Sequence, residues 1–272
     1  MLMRFARFVH AGGVSFGVVE GEVPAGRSGS SGLTVAEISS LPFETVRFTG
    51  QRWALADVRL LAPIFSSKVI GVGRNYADHA AELGNEVPKE PLIFIKPSTS
   101  VIGPNDAIRL PPQSTQVEHE AELAVVIGAT GARRVDRSGA ERAIFGYTCG
   151  NDVTARDLQR RDPQWTRAKG FDSFCPLGPW IVTDLDVSDV EVRCEVGRDP
   201  DGMEVRQIGR TKDMIFDVPT LVSYVSHVMT LLPGDVILTG TPAGVGPLLP
   251  GEIVSVTIQG IGELMNPVVA LD

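Results

Sequence analysis

The sequence predicts an α+β protein that is predominantly β, with few short helices and a small N-terminal module. Three observations predict it. Glycine (29) and proline (19) are frequent among the 272 residues and aromatic residues make up 6%, a profile produced by many short strands joined by tight turns. Short runs rich in β-branched residues recur along the chain. The regular strand–helix alternation of a doubly wound parallel sheet is missing. Hydrophobic residues at 43% and charged residues at 21% supply a full core and exclude a wholly disordered chain.

Taken in order, residues 2–9 and 14–20 read as a hairpin around Ala11-Gly12-Gly13. The stretch EGEVPAGRSGSSG (20–32) reads as a flexible, solvent-exposed loop. Residues 1–62 therefore read as a small β-rich N-terminal module and 63–272 as a larger, mostly β domain, with the boundary near Pro63 because a long β-type segment starts at Lys68. Strands are expected at 68–73, 92–96, 117–127, 145–151, 179–184, 190–198, 203–209, 235–239 and 252–259. The turn Arg198-Asp199-Pro200-Asp201-Gly202 separates two of them. One helix is expected from Asn75 to Leu83, closed by Gly84. A second runs from about Asp136 to Ile144. A third starts at Asp217, a capping residue with Pro219 in the first turn, and ends before Pro233-Gly234.

The net charge of −8 disfavours a nucleic-acid partner, and no Lys/Arg-rich face is visible. No apolar run reaches the roughly 18–20 residues of a membrane helix. Arg4 and Arg7 interrupt any signal-peptide core, so a cytoplasmic location is expected. Cys149, Cys175 and Cys194 form no CxxC pair; three reduced, mostly buried thiols are expected.

Two glycine-rich strings fail as nucleotide motifs. Gly71-Val72-Gly73-Arg74-Asn75-Tyr76 has tyrosine at the third glycine position, and Gly240 to Gly246 lacks a GK[ST] ending. The second could still bring backbone amides close to a ligand. The informative segment is Val117 to Gly128. With period 2, Glu118, Glu120 and Glu122 share one face, while Val117, His119, Ala121, Leu123 and Val125 share the other. One reading is a half-solvated strand with an acidic outer face. The other is a metal site, because Ala124 and Val126 turn the acidic face apolar and neighbouring buried carboxylates repel unless a cation lies between them.

Asp152 ends the strand FGYTCGND, either as a helix cap or as an oxygen ligand. Three carboxylates with water suit Mg²⁺ or Mn²⁺ rather than specifically zinc. His79 and Glu82 sit at i, i+3 on a short helix, where a glutamate raises the basicity of a histidine and orients it; the other reading is an incidental surface pair. Three carboxylates and a divalent cation sum to −1, so an acidic substrate needs added positive charge. Arg74, Arg156 and Lys169 could supply it, or could be solvated surface charges.

VGRNYADHAAE, HEAELAVVIG, FGYTCGNDVTARDLQ, AKGFDSFCPLGPW and GDVILTGTPAGVG, in that order, resemble the fumarylacetoacetate hydrolase family over about residues 63–268. The resemblance implies a mixed β-sheet roll, as a homodimer, with Mg²⁺ (or Mn²⁺) held by Glu120, Glu122 and Asp152. It places a catalytic His–Glu dyad on a mobile lid at His79 and Glu82. It places substrate contacts at Arg156, Gln159 and Lys169, with Thr241 a further candidate; Arg74 joins the substrate-binding set on the charge argument above. Family members act on acylpyruvates, fumarylpyruvate, oxaloacetate and dienedioates, so the implied partner is a small 2-oxo acid. The chain lacks the larger N-terminal domain of fumarylacetoacetate hydrolase itself, so fumarylacetoacetate is not the expected substrate. Three activities remain open: C–C hydrolysis with His79-Glu82 activating water; 2-hydroxyhepta-2,4-diene-1,7-dioate isomerisation or oxaloacetate decarboxylation; and ligand binding without catalysis. The segment 74–90, flanked by Gly71, Gly73 and Gly84, is expected to be a lid that orders on substrate binding.

Overall fold

The computed structural model describes residues 2–23, 32–82, 84 and 86–271. Most of the expected loop at 20–32, and the expected helix end at Leu83, lie outside the described residues. The architecture is predominantly β, with strands in three mixed or antiparallel sheets. The largest sheet has the order Phe48–Ala54, Thr34–Ile38, Gly13–Glu20, Arg4–His10, Cys175–Val182, Ile144–Asn151, Ala121–Ile127, Val236–Leu238, Val69–Gly73, Leu92–Lys96. Arg59–Leu61 pairs with Arg4–His10, and Val101–Ile102 with Cys175–Val182. A five-stranded sheet runs Glu204–Arg210, Glu191–Gly197, Ile253–Ile258, Gly262–Ala270, Ile108–Leu110, and a three-stranded one Thr154–Ala155, Val117–His119, Gly246–Pro247.

The N-terminal strands are continuous with the rest, since Arg4 and Phe5 pair with Val182 and Ile181. The hairpin at 4–20 forms as expected, with register Phe5↔Val18 to His10↔Gly13. Strands at 34–38, 48–54, 108–110 and 262–270 lack the strong β-branched alternation that the expected ones carry, and several owe their position to partners already in place. Ile108–Leu110 is held parallel to the end of Gly262–Ala270. The strand expected at 179–184 instead spans Cys175–Val182; its first half is fixed by the neighbours at 101–102 and 144–151 rather than by its own pattern.

The strand Ala121–Ile127 is buried throughout. Leu123, Val125 and Ile127 join the main core cluster with Trp180, Cys194 and Val256. Ala124 and Val126 join the second cluster with Phe5, Ile181 and Leu238. Burial on both faces explains its uninterrupted apolar run. The helices Arg137–Ala143 and Val218–Val228 carry the expected caps, Asp136 accepting from Gly139 N and Asp217 from Thr220 N. Asp235, fully buried, ties the parallel strands at 69 and 236 together. It accepts from Ser67 Oγ (2.6 Å), Lys68 N (3.2 Å), Leu232 N (2.7 Å) and Lys68 Nζ. Cys149, Cys175 and Cys194 are free and buried. Burial pushes the Cys175 thiol up to about 12.

Candidate active site

The segment 117–127 is not one strand. It breaks at Glu120, so Val117–His119 joins the small sheet and Ala121–Ile127 the large one. The break is held in place, because Glu120 N donates to Asn151 Oδ1 (3.0 Å) and Asp152 N donates to Glu120 O (2.9 Å). The half-solvated reading fails: Glu118, Glu120 and Glu122 are 6%, 4% and 1% exposed. Asp152 is 1% exposed and does not cap the next helix, Arg156–Arg161, whose N-cap is Ala155. One carboxylate oxygen each from Glu120, Glu122 and Asp152 lie within 4.8 Å of one another.

Three cations are buried against these acids, so Arg156 and Lys169 are not surface charges. Lys169 Nζ donates to Glu120 Oε2 (2.8 Å) and Asp152 Oδ2 (2.5 Å). Arg156 donates from Nη2 to Glu120 Oε1 (2.5 Å), from Nε to Glu118 Oε2 (2.8 Å) and from Nη1 to Gln159 Oε1 (2.6 Å). With its oxygen so engaged, Gln159 presents its amide N–H₂ as the free end. Lys96, fully buried, donates to Asp152 Oδ1 (2.5 Å) and Val153 O (3.2 Å). Burial would raise the Glu120 pKa, but Lys169 and Arg156 outweigh it and hold it low. Burial would lower the Lys169 pKa, and Asp152 and Glu120 reverse that. Glu122 differs: burial, then Asp152 and Glu120, push its pKa well above the carboxylate range. Among the described residues its hydrogen-bond donor is Gly240 N (2.6 Å).

The helix carrying the dyad spans Ala77–Glu82 and starts two residues later than expected. Asn75 is committed elsewhere, donating to Phe216 O (2.9 Å) and Thr239 O (2.8 Å) and accepting from Phe216 N (2.8 Å). His79 is 5% exposed, not on a solvated face, and its Nδ1 lies 3.1 Å from Glu82 Oε2. The other oxygen, Glu82 Oε1, accepts from Gly244 N (3.0 Å), which fastens the helix to the glycine-rich loop. Backbone amides of that loop therefore do approach acidic groups, those of Glu122 and Glu82. Gly71 and Gly73 are packing positions within a strand rather than hinges. A Cβ at Gly71 would meet the Phe94 ring at 2.2 Å, and one at Gly73 the Trp165 ring at 2.9 Å.

Thr241 Oγ1 donates to Ala121 O (2.8 Å) and accepts from Gln207 Nε2 (2.7 Å). Gln207, 1% exposed, also donates to Pro242 O (2.7 Å), while its oxygen accepts from Ala121 N (3.1 Å) and lies 2.9 Å from His119 Nδ1. Because Ala121 N–H fixes the amide orientation, His119 must carry its proton on Nδ1. Gln207 thus ties the segment between Glu120 and Glu122 to the Thr241 loop.

All ten residues singled out from the sequence line one cavity of about 460 Å³: Arg74, His79, Glu82, Glu120, Glu122, Asp152, Arg156, Gln159, Lys169 and Thr241. Val72, Phe94 and Trp165 form its apolar wall, and Arg160 also lines it. Lys96, Glu118 and Gln207 support the site and were not singled out. Lys96 left a faint signal, a lysine closing the apolar run LIFI; Glu118 left its period-2 relation to Glu120; Gln207 left none. The three converging carboxylates fit a hard divalent cation, since Glu122, with so few donors, is suited to a charge the protein itself does not supply.

A sequence model described as fumarylacetoacetate (FAA) hydrolase C-terminal matches residues 68–269, and one described as Rv2993c-like, N-terminal matches residues 3–63. The crystal structure of 5-carboxymethyl-2-hydroxymuconate delta-isomerase from Mycobacterium smegmatis is 54% identical, with a TM-score of 0.88, covering 99% of this chain and 100% of that one. The mitochondrial oxaloacetate decarboxylase of Dictyostelium discoideum is 46% identical over 209 residues, 73% of this chain and 92% of that protein. A fumarylpyruvate hydrolase from Pseudomonas aeruginosa, in complex with Mn²⁺ and pyruvate, is 35% identical with a TM-score of 0.70, covering 78% of this chain and 92% of that one. The chain belongs to the fumarylacetoacetate hydrolase family of enzymes.

Proposed function

We propose that the protein is a divalent-metal-dependent enzyme that cleaves a C–C bond in 2-oxo or enol dicarboxylic acids or acylpyruvates. The observation that carries this reading is the convergence of Glu120, Glu122 and Asp152 within 4.8 Å on the cavity that also holds the His79–Glu82 pair. Glu120, Glu122 and Asp152 would hold Mg²⁺ or Mn²⁺, which supplies a Lewis acid for the carboxylate and 2-oxo oxygens of the substrate. Lys169 and Arg156 balance the acidic ligands and orient them. Glu82 accepts the Nδ1 proton of His79 in a hydrogen bond, which leaves Nε2 with a lone pair. That Nε2 takes a proton from water, and the resulting hydroxide adds to the carbonyl beyond C3. The C3–C4 bond then breaks with its electron pair passing to C3 as the pyruvate enolate, and the proton held on His79 Nε2 returns to C3, giving pyruvate and a carboxylic acid. The helix Ala77–Glu82 acts as a lid that keeps bulk water from the cavity.

A second reading, isomerisation or decarboxylation at the same site, is favoured by the similarity to the delta-isomerase and to the oxaloacetate decarboxylase. Loss of CO₂ from oxaloacetate needs no attacking water and hence no dyad. The test is a turnover panel of acetylpyruvate, fumarylpyruvate, oxaloacetate and a dienedioate, with and without EDTA. EDTA-sensitive pyruvate release from an acylpyruvate supports hydrolysis. Activity on oxaloacetate or the dienedioate alone moves the assignment to the second reading, and EDTA-insensitive turnover contradicts both. We also propose a cytoplasmic homodimer built from an N-terminal module (1–62) and a catalytic domain (63–272); light scattering that gives a monomer contradicts the dimer.

A further inference from the structure

We propose that Gln207 is a positioning residue: through the loop 240–244 it locks the cation ligand Glu122 to Glu82 of the dyad, so that cation binding holds the helix Ala77–Glu82 in order. This rests on the reading above, in which Glu120, Glu122 and Asp152 take a divalent cation, and it gives a role to a residue that does not line the cavity. Gln207 stands out by its place. It lies on the edge strand Glu204–Arg210, where residues 204–206 and 208 are exposed and Gln207 is buried. An amide taken out of water costs free energy unless its hydrogen bonds are replaced, and here both ends are engaged twice. The oxygen accepts from Ala121 N (3.1 Å) and from His119 Nδ1 (2.9 Å). The nitrogen donates to Thr241 Oγ1 (2.7 Å) and Pro242 O (2.7 Å). One end therefore holds the backbone between Glu120 and Glu122, and the other holds the glycine-rich loop.

That loop carries a carboxylate contact at each end. Gly240 N donates to Glu122 Oε2 (2.6 Å), and Gly244 N donates to Glu82 Oε1 (3.0 Å). Between them Thr241 Oγ1 donates to Ala121 O (2.8 Å). The loop is also seated closely on the strand that bears Gln207. A Cβ at Gly209 would meet Pro242 Cβ at 2.5 Å. One at Gly244, whose φ is 101°, would meet Arg206 O at 2.1 Å. Held at both ends and along its length, the loop keeps the Gly240 and Gly244 amides at a fixed spacing.

The helix at the far end needs that support. Ala77–Glu82 has six residues, under two turns, which is too short to stay folded on its own hydrogen bonds. Among the described residues, the bond from Gly244 N to Glu82 Oε1 is the one side-chain hydrogen bond that joins this helix to another element. A cation that immobilises the Glu122 carboxylate immobilises Gly240 N, and the loop passes this on to Glu82. The cation and the His79 base then keep the spacing that a metal-held acid and an activated water need in order to react.

The test is amide hydrogen exchange of the helix Ala77–Glu82, followed by mass spectrometry in EDTA and in saturating Mn²⁺, with Mn²⁺ binding measured separately by paramagnetic resonance. The exposed edge strand Phe48–Ala54 opens locally and serves as the control. In the unmodified protein Mn²⁺ slows exchange of the helix by at least about fivefold, the lower end of coupling between sites, and leaves the control unchanged. Two variants break the link at different points. Gln207→Met keeps the length of the side chain and loses the amide. Gly244→Ala forces the loop away from Arg206 O and changes none of the residues bonded to Gln207 or Glu122. Both variants bind one Mn²⁺, and in both the helix exchanges at the same rate with and without it. Mn²⁺-dependent protection that survives in Gly244→Ala or in a folded Gln207→Met would overturn the proposal; if Gln207→Met does not fold, Gly244→Ala decides alone. Mn²⁺ binding to the unmodified protein without slower exchange of the helix overturns this proposal and leaves the metal reading standing. No Mn²⁺ binding by the unmodified protein overturns both.

Discussion

Lys169→Met isolates the electrostatic logic of the acidic centre. The ammonium it removes is 2% exposed and bridges Glu120 Oε2 at 2.8 Å and Asp152 Oδ2 at 2.5 Å. Methionine keeps much of the length and apolar stem, so the change is mainly one of charge. The buried acidic cluster loses one of its compensating positive charges, and two carboxylates lose a donor. Removing one partner of a buried ion pair costs about 3–5 kcal/mol. At about 2–4 °C per kcal/mol for a chain of this size, the melting temperature in EDTA falls by about 6–20 °C. A divalent cation restores the missing charge among the same oxygens. Mn²⁺ therefore raises the melting temperature of the variant more than that of the unmodified protein, while turnover is lost from both its readings. Scanning calorimetry of both proteins, with EDTA and with Mn²⁺, measures this directly. A variant as stable as the parent in EDTA, or equal stabilisation of the two by Mn²⁺, would refute the reasoning.

The other predictions are independent of that one. His79→Ala lowers acylpyruvate hydrolysis about a hundredfold to ten-thousandfold, the range for a general base, and leaves oxaloacetate decarboxylation largely intact; a steady-state assay in which both activities fall together removes the dyad as a dedicated base. Asp235→Ala strands four donors around a fully buried position and costs about 3–5 kcal/mol in denaturant unfolding; a loss below about 1 kcal/mol contradicts the role assigned to it. Asp217 has its pKa lowered to about 2, first by the Arg137 hydrogen bonds and then by those of Thr220. Its folded pKa lies below its usual value, so the stability it adds is present above about pH 4 and is lost as pH falls through about 2. The pair is largely exposed, so Asp217→Asn costs at most about 1 kcal/mol near neutrality, and the difference from the parent closes by pH 2; a difference that persists there refutes the pairing.

The fold class and the hairpin at 4–20 were legible because alternation and turn residues are local signals. The capped helices at 136 and 217 were legible for the same reason. The strand at 262–270 was not, because its pairing with Ile253–Ile258 rather than its own pattern sets it. The carboxylates could be read from their period-2 spacing, yet that spacing implied one continuous strand. The break at Glu120 comes from Asn151 and Asp152, which lie about thirty residues away. Burial of Lys96 and the fourfold engagement of Gln207 are long-range outcomes of sheet packing, and no local pattern encodes them.

The central claim is that Glu120, Glu122 and Asp152 hold a divalent cation, and Glu122→Gln tests it most directly. Glu122 is 1% exposed, and burial together with the neighbouring Asp152 and Glu120 raises its pKa, so its carboxylate is the one whose charge a cation would compensate. Glutamine keeps the shape of the side chain and an oxygen for Gly240 N (2.6 Å) while removing the charge that a cation would need. Titration of Mn²⁺ followed by the paramagnetic resonance of the free ion measures binding itself. The account predicts one tightly bound Mn²⁺ in the unmodified protein and none in the variant. Equal Mn²⁺ binding by the two proteins, or no stoichiometric binding by the first, would contradict it.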